Sequence, residues 1–226
     1  MKALISHYKK SISEAAIWSP EEVASIWDFY VTKSVASSAS QKRGVTDYGL
    51  KQLPFETLLE HAEVAANQRE IVMANKVDGI LAQHDFKYRD KDENNKEIEL
   101  AIDISTPRMV CIQPYSITDR KGPEGKTGKG ETLLTHIRNS LAHGCTYFFD
   151  NGMMLLEDKS GGASGATTAM ILIPQFAFLD WIKIIDINAR YYFKDSDRSA
   201  FEKLVIKSRA KSGKKNVENS SLSHNN

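Results

Sequence analysis

A one-sided helix that stops at a glycine and runs straight into a hairpin is the feature that most restricts this chain. Over residues 131–143 the apolar side chains Leu133, Leu134, Ile137 and Leu141 fall within an arc of about 100° at helical spacing. Gly144 stands where a helix-ending glycine belongs. The apolar runs 145–149 and 153–157 then flank Asp150-Asn151-Gly152, and Asn-Gly between such runs signals a hairpin. Residues 167–173 read as a third strand of a small meander, beyond a glycine-rich turn at 161–165. Residues 176–189 read as a closing helix, with Phe178, Leu179, Ile182, Ile185 and Asp186 in register.

Before the motif helix the pattern is mostly helical. Ser19-Pro20-Glu21-Glu22 combines an N-cap, a first-turn proline and a capping-box glutamate. Val23, Ile26, Trp27, Tyr30 and Val31 continue at helical spacing, to an expected end near residues 37–41. A second helix is expected from Pro54, running on to Leu81. Ile98, Leu100, Ile102 and Ile104 alternate with Glu99, Ala101 and Asp103, the period of a strand, and residues 108–117 supply another candidate. Residues 119–130 hold four glycines, one proline and four basic residues, the composition of a mobile loop. Within it, Gly125-Lys126-Thr127 is not a P-loop, because the glycine required five positions earlier is Arg120. Residues 207–226 carry five Lys/Arg and one Glu with few apolar residues, and read as a disordered basic and polar tail.

Net charge is +1, so any basic surface must be local. The two cysteines, Cys111 and Cys145, form neither a C-x-x-C pair nor a zinc spacing, and so few in a chain this long favour a reducing compartment. There is no signal-peptide pattern, and no apolar run reaches the length of a membrane span. A cytoplasmic protein with no membrane association, no metal and no cofactor is expected.

The chemistry concentrates in His136-Ile-Arg-Asn-Ser-Leu-Ala-His-Gly144. His136, Asn139 and His143 span about 60° of an ideal helix, opposite the apolar stripe, whereas Arg138 lies roughly 140° from His143. A histidine of near-neutral pKa can take the proton of a ribose 2′-hydroxyl. An arginine can bind the scissile phosphate and offset charge in the transition state. Asn139 can hold the imidazole in one tautomer or touch the phosphate. The 140° divergence suggests a site completed by helix distortion near Gly144 or by a second copy across a two-fold axis. His136, Lys126 and Lys129 are further RNA-binding candidates, with a supporting polar-face position as the competing assignment for His136.

Arg138-Asn-Ser-Leu-Ala-His-Gly144, the following hairpin around Tyr147-Phe-Phe-Asp-Asn-Gly152 and the helix at Phe178-Leu-Asp-Trp-Ile182 resemble the HEPN superfamily, in particular its plasmid- and phage-conflict-associated members. The resemblance covers residues 131–190. It implies a mainly α (α+β) fold, a HEPN-like helical bundle over residues 1–206 with a small antiparallel β-meander inserted between the motif helix and the last helix. It also implies a homodimer and metal-independent RNA cleavage in a toxin or anti-phage role, with Arg138, Asn139 and His143 catalytic and a regulatory or antitoxin protein as a further partner. HEPN toxins silenced by adenylylation carry a tyrosine two residues after the histidine, where this chain has Cys145. The alternative is a non-catalytic RNA- or nucleotide-binding regulatory module. A dimerisation domain is a third reading, which leaves the polar arc without a job.

Overall fold

The structure is a computed structural model that describes residues 2–4, 18–36, 39–72, 77–87, 89–112, 128–161, 165–187 and 192. In chain order the elements are β1 (Lys2–Leu4), α1 (Pro20–Trp27), α2 (Phe55–His61), β2 (Arg69–Val72), α3 (Asp78–Gln83), β3 (Arg89–Lys91), β4 (Glu97–Glu99), β5 (Ala101–Asp103), β6 (Arg108–Ile112), α4 (Lys129–Ala142), β7 (Thr146–Phe148), β8 (Met153–Lys159), β9 (Thr167–Pro174) and α5 (Ala177–Ile185). Five strands form one mixed sheet in the order β2-β6-β9-β8-β7. Only the β2–β6 pair is parallel.

This sheet overturns the helical-bundle expectation. The hairpin and its third strand are not an insert beside a bundle; they make up most of the sheet around which the helices pack. The physical reason lies in β6, β8 and β9. All five residues of β6 are buried, as are the first six of β8 and the last six of β9. Near-continuous apolar strands of this kind need cover on both faces. On one face Cys111, Leu156 and Ile171 pack with Leu59, Leu134, Ile137 and Trp181 from α2, α4 and α5. On the other, Val110, Leu155 and Leu172 pack with Leu81, Phe86 and Ile102. Buried polar tips bond to backbone: Trp181 Nε1 donates to the Leu58 carbonyl at 2.7 Å and Tyr30 Oη to the Phe178 carbonyl at 2.8 Å.

The expected capping box forms, with Ser19 Oγ accepting from the Glu22 amide at 3.2 Å and the Ser19 amide donating to the Glu22 carboxylate at 2.8 Å. The first helix leaves α geometry early, becoming a wide π turn over Asp28–Thr32. The long helix expected from Pro54 to Leu81 is instead α2, β2 and α3. Glu63 breaks it at a left-handed φ of 60°, and Arg69–Val72 is drawn into the sheet beside β6. The alternating stretch is two strands in two different two-stranded sheets; Ile98 and Leu100 are exposed, whereas Ile102 and Ile104 are buried. The Asn151-Gly152 hairpin forms as β7–β8, with Gly152 at φ 79°. Residues 113–127, among them Lys126, and the tail 207–226 lie outside the described residues.

Candidate functional site

α4 begins at Lys129, two residues before the expected start. Its buried residues are Gly130, Thr132, Leu133, Leu134, His136, Ile137, Ser140 and Leu141, an arc of about 200° on an ideal helix. That is twice the width of the apolar stripe. The extra width comes from Thr132, His136 and Ser140, one turn apart, of which His136 meets β8 at Asp158. Two polar residues opposite the stripe, His136 and Ser140, are therefore interior. Ser140 is satisfied by back-bonding, its Oγ donating to the His136 carbonyl at 2.8 Å.

Asp158, near the end of β8, organises the rest. Along β8, Leu156 faces the helices, and Asp158 two positions later shares that face. His136 Nδ1 lies 2.7 Å from Asp158 Oδ2, with both side chains about 95% buried. Asn139 Nδ2 donates to the same oxygen at 3.2 Å, and Arg138 Nη1 donates to Asn139 Oδ1 at 3.1 Å. The chemistry of the end groups fixes the middle ones. An ionised carboxylate only accepts and a guanidinium only donates, so the Asn139 amide has one orientation and the Asp158-facing nitrogen of His136 carries the hydrogen. Thr168 Oγ1 donates to the Asp158 carbonyl at 3.3 Å. The Asp158 charge also acts inward. Burial first, and that carboxylate second, push the Cys111 thiol well above its ordinary range, which keeps it a thiol and not a nucleophile.

The structure thus joins Arg138, Asn139 and His136, and leaves His143 outside their network. His143 is the C-cap of α4, exposed, with its backbone N–H on the Asn139 carbonyl at 2.9 Å. Among the described residues its ring has no hydrogen-bond partner. Gly144 follows at φ 63°, the left-handed helix-ending conformation. Lys129 is at the opposite end of α4, its Nζ 5.8 Å from the Phe55 ring centroid. It lines a cavity of about 480 Å³ with Lys51, Leu53 and Phe55, about nine residues or roughly 14 Å along the helix axis from Arg138. Gly130 allows that end to close, since a Cβ there would meet Leu53 Cβ at 2.7 Å.

Asp158 was not among the residues picked out by motif. Its signal was available: extending the alternation of Met154 and Leu156 by two positions puts a carboxylate under the helix. Its neighbour Glu157 points to the opposite face, accepting from Thr167 Oγ1 at 3.0 Å and pairing with Lys159 Nζ at 3.2 Å. Among the described residues no group of three or more His, Cys, Asp or Glu side chains is placed to hold a metal ion, and no helix is long and apolar enough to cross a membrane. Compared with protein-family models, curated proteins and solved structures, the chain matches none.

Proposed function

We propose that this chain is a metal-independent endoribonuclease of the HEPN type, acting as a cytoplasmic homodimer in a toxin or anti-phage defence role under a regulatory or antitoxin protein. One observation supports it most: a carboxylate-anchored amide holds the guanidinium of Arg138 five residues from the exposed imidazole of His143. Arg138 binds a nonbridging oxygen of the scissile phosphate and offsets its growing charge. Neutral His143 takes the proton of the 2′-hydroxyl. The 2′-oxygen bonds to phosphorus, the bond to the 5′-oxygen breaks, and that oxygen leaves with a proton from solvent. The products are a 2′,3′-cyclic phosphate and a 5′-hydroxyl. Asn139 orients Arg138, not the imidazole. The motif resemblance supports this reading over the helix, hairpin and closing helix alone, because the mixed sheet is not the bundle that the family implies.

One observation favours the non-catalytic RNA-binding alternative: nothing among the described residues fixes the tautomer of His143. Incubation with single-stranded RNA in EDTA separates the two. Cleavage to cyclic-phosphate ends, reduced about 10²- to 10⁴-fold in His143→Ala, is the expected result. Binding without cleavage establishes the alternative, and chelator-sensitive cleavage to 5′-phosphate ends overturns the mechanism.

A further inference from the structure

We infer that Asp158 is a positioning residue for Arg138, acting through Asn139, and that the interposed amide leaves the arginine's charge available to a phosphate; the role assigned to that phosphate rests on the ribonuclease reading above. A carboxylate touching Arg138 directly would fix the guanidinium but neutralise it, and a phosphate would have to displace the carboxylate. Here Asp158 spends its contacts on His136 Nδ1 at 2.7 Å and Asn139 Nδ2 at 3.2 Å. Among the described residues, the hydrogen bond that the guanidinium makes is to the neutral Oδ1 of Asn139, at 3.1 Å. The carboxylate polarises the amide, which strengthens its oxygen as an acceptor.

Three features make the anchor rigid. Asp158 is 4% exposed and His136 3%, so solvent does not compete for these bonds. Both donors to Asp158 come from α4, one turn apart, and tie the helix to β8 at one point. Arg138 Nε is buried with no hydrogen-bond partner among the described residues, so the amide bond is what sets the direction of the guanidinium. A buried donor without a partner is costly, and it is the kind of local cost tolerated where a side chain must be held for use.

The test is a double-mutant cycle read on affinity for a 2′-O-methyl oligoribonucleotide, a probe that cannot be cleaved. Asp158→Ala is expected to weaken binding about tenfold with Arg138 present and less than twofold in an Arg138→Ala background. Asp158→Asn, which keeps an acceptor oxygen in place, should restore most of the affinity. Asn139→Asp, which puts a carboxylate on Arg138, should bind more weakly than Asn139→Ala. Equal losses from Asp158→Ala in both backgrounds, in protein whose amide NMR spectrum is otherwise retained, would overturn the inference. If wild-type protein binds no RNA, the ribonuclease reading fails and a second arm decides the positioning. The Arg138 Nε–H resonance should be sharp in wild type and collapse into the solvent-exchanged arginine envelope in Asp158→Ala. An unchanged resonance overturns the inference whatever the RNA assay gives.

Discussion

Among the described residues, two histidine–aspartate pairs tie helices to their neighbours, and they differ mainly in water. His136–Asp158, at 2.7 Å, has side chains 4% and 5% exposed; His61–Asp180, at 2.9 Å, has both at 24%. The buried pair shares its carboxylate with Asn139. The half-buried pair shares its carboxylate with Lys183, at 3.3 Å, and its imidazole meets the exposed Phe176 ring edge-on at 6.0 Å. The same two functional groups serve different ends. Away from water, breaking the contact leaves polar atoms that nothing replaces. Near water, solvent replaces either partner and screening shrinks the attraction. A pair of this kind is therefore a fixed part of a site in the first setting and a modest tether in the second.

The contrast can be attacked from its strongest side. Asp158→Ala strips the acceptor from both His136 and Asn139 and should cost about 3–5 kcal/mol, read as a fall in denaturant midpoint at constant slope. A loss under about 1 kcal/mol would place the pair with surface pairs. Replacing both members, His136→Leu with Asp158→Leu, should destabilise less than Asp158→Ala alone, because the buried imidazole is no longer left without its partner. The same double variant should lose RNA binding, since Asn139 no longer has its anchor. Additive losses of stability would show that the two groups do not interact.

The half-buried pair should respond weakly. Asp180→Asn is expected to cost under about 1 kcal/mol at neutral pH and to leave RNA binding within twofold. Its pH dependence has a definite sign. Burial pulls the Asp180 carboxyl upward, but the His61 hydrogen bond and the Lys183 charge together outweigh it and hold it below its ordinary value. A depressed folded-state pKa stabilises above the unfolded value of about 3.9, and that contribution fades as pH falls through the folded value. The stability gap between wild type and Asp180→Asn should thus be full at pH 6 and close below about pH 4. A gap that widens on acidification would reverse the assignment.

Legibility from sequence followed the range of the interactions. The Ser19 capping box, the Asn151-Gly152 hairpin, the Gly144 stop and α5 are set by neighbours a few residues apart, and local pattern finds them. The stretch from Pro54 to Leu81 failed because its outcome depends on a partner far along the chain: Arg69–Val72 is a strand beside Met109–Ile112, and helical spacing in one segment carries no trace of that. The bundle expectation came from the resemblance and failed for the same reason: the strands expected at 108–117, 145–149, 153–157 and 167–173 have local signals, but their joining with Arg69–Val72 into one central sheet depends on pairings between distant segments. Within the site, His136 and Asn139 were legible as one helix face with His143, whereas Arg138 lies on the flank of the apolar stripe and joins them only through the Asn139 side chain. Asp158 comes from another element, and only its place in the β8 alternation links it to them. The polar arc lies opposite the apolar stripe, yet His136 and Ser140 are buried, His136 against Asp158 of β8.

The sheet order has a consequence for synthesis on the ribosome. β6 is buried on both faces and hydrogen-bonded on both edges, by β2 in parallel and by β9 in antiparallel. Met109 pairs with Ile171, made 62 positions later, which at about 5–20 residues per second is a delay of several seconds. Arg69, its partner on the other edge, has already been made. The early parallel pairing can thus shield one edge of the apolar strand Met109–Ile112 while the other waits, leaving that edge open to chaperones or to another nascent chain. Slower elongation beyond residue 112 should prolong that interval, and faster elongation should shorten it.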